Sequence, residues 1–261
     1  MGVLNVTPDS FSDGGRFLAA DAAVEQGLRM AAEGAALIDV GGESTRPGAA
    51  PVGVAEELRR VLPVIERLRG ATAAIISVDS SRPEVLAAAA AAGAEFINDV
   101  RALREPGALA AAAAGGCGVC LMHMQGTPGS MQLAPHYDDV LQEVRSFLAA
   151  RVAACRAAGI AAERLAIDPG FGFGKTVEHN LTLLRQLGEL AADGRPVLVG
   201  LSRKSMLGTL TQRPLAQRLY GSVALAVIAA LNGARIIRAH DVAPTVDALK
   251  VAAAVQAGAP H

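Results

Sequence analysis

The sequence predicts one (β/α)8 TIM barrel, an α/β fold forming a single domain over residues 1–261, with long βα loops 1 and 2 as lids. Three observations point there. Hydrophobic periodicity alternates between strand-like and helix-like stretches along the whole chain, with no linker or break in composition. Short apolar runs between residues 3 and 240 end in polar or charged side chains. Parallel strands covered on both faces read as such runs, and barrel sites are built at their C-terminal ends. Two loops, after the first and second runs, exceed an ordinary βα connection and are rich in Gly, Pro, Ser and Asp. A doubly wound open sheet would instead bind at one switch point.

Taken in order, the first strand is expected near 1–6, where Val3-Leu4 runs into Asn5; loop 7–15 and a helix near 19–34 follow. The second strand, near 36–40, holds Leu37-Ile38-Asp39 and leads through loop 41–48 to a helix near 53–69. A strand near 73–78 carries Ile76-Ser77-Val78 into Asp79, ahead of a helix near 82–92. Phe96-Ile97-Asn98 marks the fourth strand (95–98), before a helix near 107–115. The fifth lies near 117–122 and its helix near 138–158. Leu165-Ala166-Ile167-Asp168 gives the sixth (164–168), with a helix near 177–191. Pro196-Val197-Leu198-Val199 opens the seventh (196–200), before a helical stretch near 204–232. The eighth, near 235–238, runs Ile236-Ile237-Arg238 toward His240, ahead of a helix near 241–257. Ala and Leu, good helix formers, dominate the helical segments.

Composition narrows the function classes. At 51% hydrophobic and a mean hydropathy of +0.34 the chain can build a sizeable core. No apolar stretch reaches the roughly 18–20 residues that span a bilayer, and Met1 leads into Gly2-Val3-Leu4-Asn5 without a basic signal region. A soluble, cytoplasmic protein with no membrane partner is expected. The formal charge of −1 argues against a nucleic-acid partner, which needs a basic surface to neutralise phosphates. Cys117 and Cys120 have C-x-x-C spacing, but an odd separation on a strand points them to opposite faces, so they read as small core thiols.

Several residues carry chemistry. Of the 24 basic residues only Lys175, Lys204 and Lys250 are lysines. A chain that chooses Arg so strongly has kept a compact ammonium at the ends of two strands, where a planar fork does not fit. The segment Gly170 to Thr176 looks like a phosphate-binding P-loop, but the glycine that motif needs six positions before its lysine is Pro169 here. The glycines instead allow close backbone approach to a ligand. Asp79, Asn98 and Asp168 offer acceptors suited to a heterocycle edge bearing several N–H donors; each alone also fits a helix N-cap. Arg238 and His240 alternate on one strand, so both can face the barrel axis and take a phosphate. Phe11, Phe171 and Phe173 sit in Gly-rich loops of a chain with only six Phe, which suits an aromatic ligand or barrel-end packing. His123 follows an apolar strand and is given no role, since such a histidine is often structural.

These residues resemble the dihydropteroate synthase family of pterin-binding barrels. The matching segments are MGVLNVTPDSFSDGG at 1–15, IDVGGESTRPG at 38–48, SVDS at 77–80, INDV at 97–100, LMHMQG at 121–126, IDPGFGFGK at 167–175, GLSRKS at 200–205 and RAHDV at 238–242. They run the length of the chain in order. The resemblance implies condensation of (7,8-dihydropterin-6-yl)methyl diphosphate with 4-aminobenzoate, giving 7,8-dihydropteroate and diphosphate in folate biosynthesis. It implies Mg2+ as cofactor, held by Asn5, and a pterin held by Asp79, Asn98, Asp168 and Lys204. Thr45, Arg46, Arg238 and His240 would take the diphosphate and, with Lys204, act in catalysis. Phe11, Pro47, Phe173, Ser202 and Arg203 would frame 4-aminobenzoate. A homodimer formed by late helices is implied as well. Relatives usually carry a segment before the first strand, and Ala239 stands where they often have Val. Two other functions fit the same residues: a catalytically silent pterin-binding paralogue, and a pterin-dependent methyltransferase acting with a corrinoid protein. The lid loops and Ser202-Arg203-Lys204 favour the synthase.

Overall fold

The structure, a computed structural model, describes residues 1–6, 16–43, 52–127 and 129–257. Among these, strands β1 (Gly2–Asn5), β2 (Leu37–Gly41), β3 (Ile75–Asp79), β4 (Phe96–Asp99), β5 (Gly118–Met122), β6 (Leu165–Asp168), β7 (Leu198–Val199) and β8 (Ile236–Ile237) alternate with helices. The helices are α1 (Arg16–Ala32), α2 (Val54–Ala71), α3 (Pro83–Ala91), α4 (Ala108–Gly115), α5 (Val140–Ala157), α6 (Val177–Arg185), α7 (Leu187–Ala191), α8 (Ser205–Thr211), α9 (Leu219–Leu231) and α10 (Val242–Ala257).

β1 to β6 form one parallel sheet in chain order, and β7 pairs parallel with β8. Two single-residue pairings close the ring, Ile167 of β6 with Val197 before β7, and Gly2 of β1 with Ala239 after β8. Backbone bonds confirm the seams: Ile167 N to Pro196 O at 3.0 Å, and Val3 N to Ala239 O at 3.0 Å. The barrel is therefore closed. Its strand ends are also in register, so that Asn5, Gly41, Asp79 and Asn98 lie side by side across β1 to β4.

Alternation along each strand divides the core. Ile38, Val40, Ile76, Val78, Ile97, Val119, Leu121 and Ile167 face outward into the layer shared with the helices. Cys120, Ala166 and Leu198 form an inner plug with Met1, Phe96 and Ile236. Small residues on β5 and β6 leave room for the Phe96 ring inside the barrel. Two positions further along, Phe96, Ala166 and Ile236 give way to the polar Asn98, Asp168 and Arg238. Cys117 sits in the outer layer and Cys120 in the inner plug, so the pair does point to opposite faces.

Two helical expectations are corrected. The stretch near 177–191 is two helices, interrupted at Gln186 (φ −101°, ψ 16°). The stretch near 204–232 is also two, α8 and α9. Gln212 takes a left-handed conformation (φ 56°), and Pro214 has no N–H to continue a helix. The lid loops, with Phe11, Thr45, Arg46 and Pro47, lie outside the described residues. No helix among the described residues is long and apolar enough to cross a membrane.

Candidate active site

Where the inner plug ends, a cleft of about 480 Å³ opens at the C-terminal rim. It is lined by Asp79, Asn98, Asp168, Phe171, Phe173, Ser202, Lys204, Arg238 and His240, all singled out by sequence, and by Val3, Val100, Met122 and Gly200. Residues from position 3 to position 240 thus meet at one opening, as the closed barrel requires.

Each polar group is held by a specific neighbour. Arg238 donates from Nε to Asp39 Oδ2 at 2.7 Å and from Nη2 to Asp79 Oδ2 at 2.8 Å. Asp39 also accepts from Ser77 Oγ (2.6 Å) and Asn98 Nδ2 (2.9 Å). Asp168 accepts from Gly170 N at 2.7 Å. Lys204 donates to the Phe171 carbonyl at 2.7 Å, and its ammonium lies 4.1 Å from the centre of the Phe173 ring. His240 Nδ1 is 3.0 Å from Ser202 Oγ.

Burial tunes the charges. It pushes Asp79 up to about 7, against the pull of Arg238, and Asp168 up to about 6, against the Gly170 N–H and Lys204. It brings Lys204 down to about 8, opposed by Asp168. Arg238 also feels burial, but Asp39 and Asp79 outweigh it and hold the guanidinium firmly charged. At neutral pH the carboxylates and Lys204 are poised near their titration range, which is typical of groups that exchange partners with a ligand.

The glycine-rich segment has its own frame. Lys175 is buried, and its ammonium donates to the carbonyls of Gly170 (3.0 Å) and Phe173 (3.1 Å) and meets His123 Nδ1 at 2.9 Å. The loop therefore folds around its own lysine. Gly170 has φ +70°, and an added Cβ would come within 1.8 Å of the His123 carbonyl oxygen, so this turn admits no side chain. Burial and then Lys175 lower His123 to about 3. The imidazole also packs edge-on to Phe147, as a structural part would.

Residues 1–240 match the model of the family described as Pterin binding enzyme. The chain belongs to this family. Within it the chain is 56% identical to dihydropteroate synthase of Escherichia coli K12 over 251 residues, covering 96% of this chain and 89% of that one. The structure of Xanthomonas albilineans dihydropteroate synthase with 4-aminobenzoic acid matches with a TM-score of 0.93 and 59% identity, covering 99% of this chain and 93% of that one. The same enzyme in complex with 7,8-dihydropteroate gives 0.90 and 56%, with 99% and 93% covered.

Two predicted site residues stand apart from the cleft lining. Arg203 turns away to Asp241, with Nε 3.0 Å from Oδ2, and holds a left-handed backbone (φ 59°) beside Lys204. Asn5 lies on the rim, where a Cβ added at Gly41 would sit 3.7 Å from Asn5 Oδ1 and 3.5 Å from Asp79 Cβ. The missing side chain at Gly41 leaves a gap flanked by both. No cluster of three or more His, Cys, Asp or Glu able to hold a metal exists among the described residues. An amide oxygen completed by phosphate oxygens and water is nonetheless a donor set that Mg2+ accepts, so Asn5 fits an ion that arrives with a diphosphate. Sequence reasoning marked Asp39 only as the polar end of an apolar run, without a specific role in the site, and gave none to the apolar walls Val100 and Met122.

Proposed function

We infer that this chain is a dihydropteroate synthase, joining (7,8-dihydropterin-6-yl)methyl diphosphate to 4-aminobenzoate with release of diphosphate. One observation carries this reading. Asp79, Asn98, Asp168, Lys204, Arg238 and His240 surround one cleft in a chain whose relatives bind 4-aminobenzoic acid and 7,8-dihydropteroate.

Asp79, Asn98 and Asp168 accept hydrogen bonds from the ring's N–H edge, and Lys204 donates to its acceptors. Val100 and Met122 enclose the flat faces. Arg238 and His240, beyond the ring, take the diphosphate, joined by Thr45 and Arg46 from the second loop. Asn5 would hold a Mg2+ ion arriving with the diphosphate, and that ion would supply positive charge against the leaving group. As the bond from the pterin methylene to the diphosphate oxygen lengthens, the ring shares the growing positive charge. Arg238 and His240 meet the opposite charge on the leaving group. The 4-aminobenzoate nitrogen, positioned by Phe173 and Ser202 with Phe11 and Pro47, closes on the methylene carbon and loses a proton. Exclusion of water by the two lid loops protects the cation-like carbon.

The test is diphosphate release from the pterin diphosphate, with and without 4-aminobenzoate and Mg2+. Release that requires both, with dihydropteroate formed in equal amount, is expected; methyl transfer from methyltetrahydrofolate, or binding without turnover, would replace this reading. The chain acts as one cytoplasmic barrel domain over residues 1–261. It pairs as a homodimer through the face where Ile228 and Leu231 of α9 and Val251 and Val255 of α10 are exposed. Sedimentation equilibrium checks that pairing.

A further inference from the structure

Asp39 is fully buried on β2 and does not line the cleft, yet three site elements converge on it. Ser77 of β3 occupies one carboxylate oxygen; Asn98 of β4 and Arg238 after β8 share the other. We propose that Asp39 is the positioning residue of the site, aiming Arg238 at the diphosphate and turning the Asn98 carbonyl oxygen toward the pterin. This deepens the synthase reading and rests on it.

Two elementary facts carry the argument. First, a guanidinium has five N–H donors in a rigid plane. Asp39 holds Nε from below while Asp79 takes one Nη2 hydrogen, which fixes the plane and leaves three donors for an anion. Without the charge at Asp39, Asp79 is the remaining carboxylate hydrogen-bonded to Arg238. The guanidinium plane would then be held at one point only and would lose its aim at the diphosphate. Second, a carboxylate only accepts. Asn98 must therefore turn its NH2 toward Asp39, at 2.9 Å, and offer its oxygen to the cleft. A buried charge thereby specifies a ligand edge rich in donors. Burying Asp39 behind the cleft also keeps substrate and water from competing for it.

The variant D39N isolates the charge, because the asparagine oxygen can still accept from Asn98 and Arg238. With Mg2+ present, kcat is expected to fall about 10- to 100-fold, the scale of one hydrogen bond to a charged group. The Kd of 6-hydroxymethyl-7,8-dihydropterin, which lacks the diphosphate, should stay within about threefold of the parent, a split that general loosening does not produce. The double variant D39N/R238Q should lose no more than R238Q alone, since Asp39 acts through Arg238. Parent-like kcat in D39N, equal losses in kcat/KM and in pterin affinity, or additive losses in the double variant would each overturn the proposal. Should D39N not fold, hydrogen exchange at Arg238 Nε in the parent decides. Protection kept in the diphosphate-bound state supports the fixed Asp39 contact; exchange as fast as in free arginine rejects it. Absence of turnover in the parent would instead strike the synthase reading, leaving the Arg238 exchange measurement to judge this one.

Discussion

Replacing Asp168 with asparagine removes one negative charge and almost no volume from the wall of the cleft. The side chain is buried, and burial raises its pKa to about 6. Against an unfolded value near 3.9, the two-unit difference means that the ionised form costs the free protein ~3 kcal/mol at pH 8. The sign follows from proton counting. Between about pH 4 and 6 the folded state binds more protons than the unfolded one, so stability falls as pH rises through that window. The substituted amide keeps an acceptor for the Gly170 N–H and has no proton to lose. The variant should therefore melt higher than the parent at pH 8, with the gap closing toward pH 4. Pterin binding should move the other way. Two hydrogen bonds to a charged carboxylate, each worth ~1.5–3 kcal/mol, become one to an amide oxygen plus an opposed NH2. A loss of at least ~3 kcal/mol, more than about 100-fold in Kd, is expected. Thermal melts at pH 8 and pH 4.5, with calorimetric titration of a dihydropterin, measure both effects. Parent-like pterin affinity in folded D168N would refute the role assigned to Asp168; a variant markedly less stable at pH 8 would refute the electrostatic argument.

Other expectations follow from the same geometry. Affinity for an unphosphorylated dihydropterin should be bell-shaped in pH. It falls on the acid side as Asp79 and Asp168 take up protons near 7 and 6, and on the alkaline side as Lys204 loses its proton near 8. Titrations from pH 5 to 9 in matched ionic strength test this, and constant affinity between 5 and 8 contradicts it. Lys175→Met keeps the buried stem but deletes the donors to Gly170 and Phe173. It should destabilise by ~1–3 kcal/mol in urea melts and raise KM for 4-aminobenzoate more than KM for the pterin, because the Phe173 backbone loses its tether. Equal changes in both KM values would separate Lys175 from the arylamine side.

The barrel was legible because its strands and helices differ so plainly in period. Runs such as Ile76-Ser77-Val78-Asp79 tell a strand, its outward face and its functional end at once. Most of the cleft was legible for the same reason, since the last inward residue of a strand can be counted without coordinates. Three things were not. The break between α8 and α9 depends on a left-handed residue, Gln212, that has no glycine to advertise it. Asp39 lies one layer beneath the rim, and its value depends on Arg238, 199 positions away. The glycine-rich segment lacks the P-loop glycine in its sequence, yet its fold around Lys175 became evident only through carbonyls that carry no sequence signature. Arg203 shows the converse limit. It sits in a motif between two cleft residues, but its left-handed backbone sends the side chain to Asp241.

Charge balance at the rim bears on the cofactor. Asp39, Asp79 and Asp168 face Arg238 and Lys204, so the described part of the site sets three acidic side chains, two of them titrating near 6 and 7, against two basic ones before any substrate arrives. A diphosphate brings more negative charge to this place, and both Arg238 and Lys204 are already hydrogen-bonded to protein oxygens. Binding of the anion therefore needs positive charge from elsewhere. In the proposed reaction that charge is a divalent cation arriving with the phosphates at Asn5, which lies beside the gap over Gly41. Chelating Mg2+ should weaken the pterin diphosphate by about tenfold or more, several times the effect of one screened surface charge, while leaving an unphosphorylated pterin unaffected. Asn5→Ala should do the same in the presence of the ion. Equal affinity for the diphosphate with and without Mg2+ would remove Asn5 from the mechanism and shift the missing charge to Arg46 of the second loop.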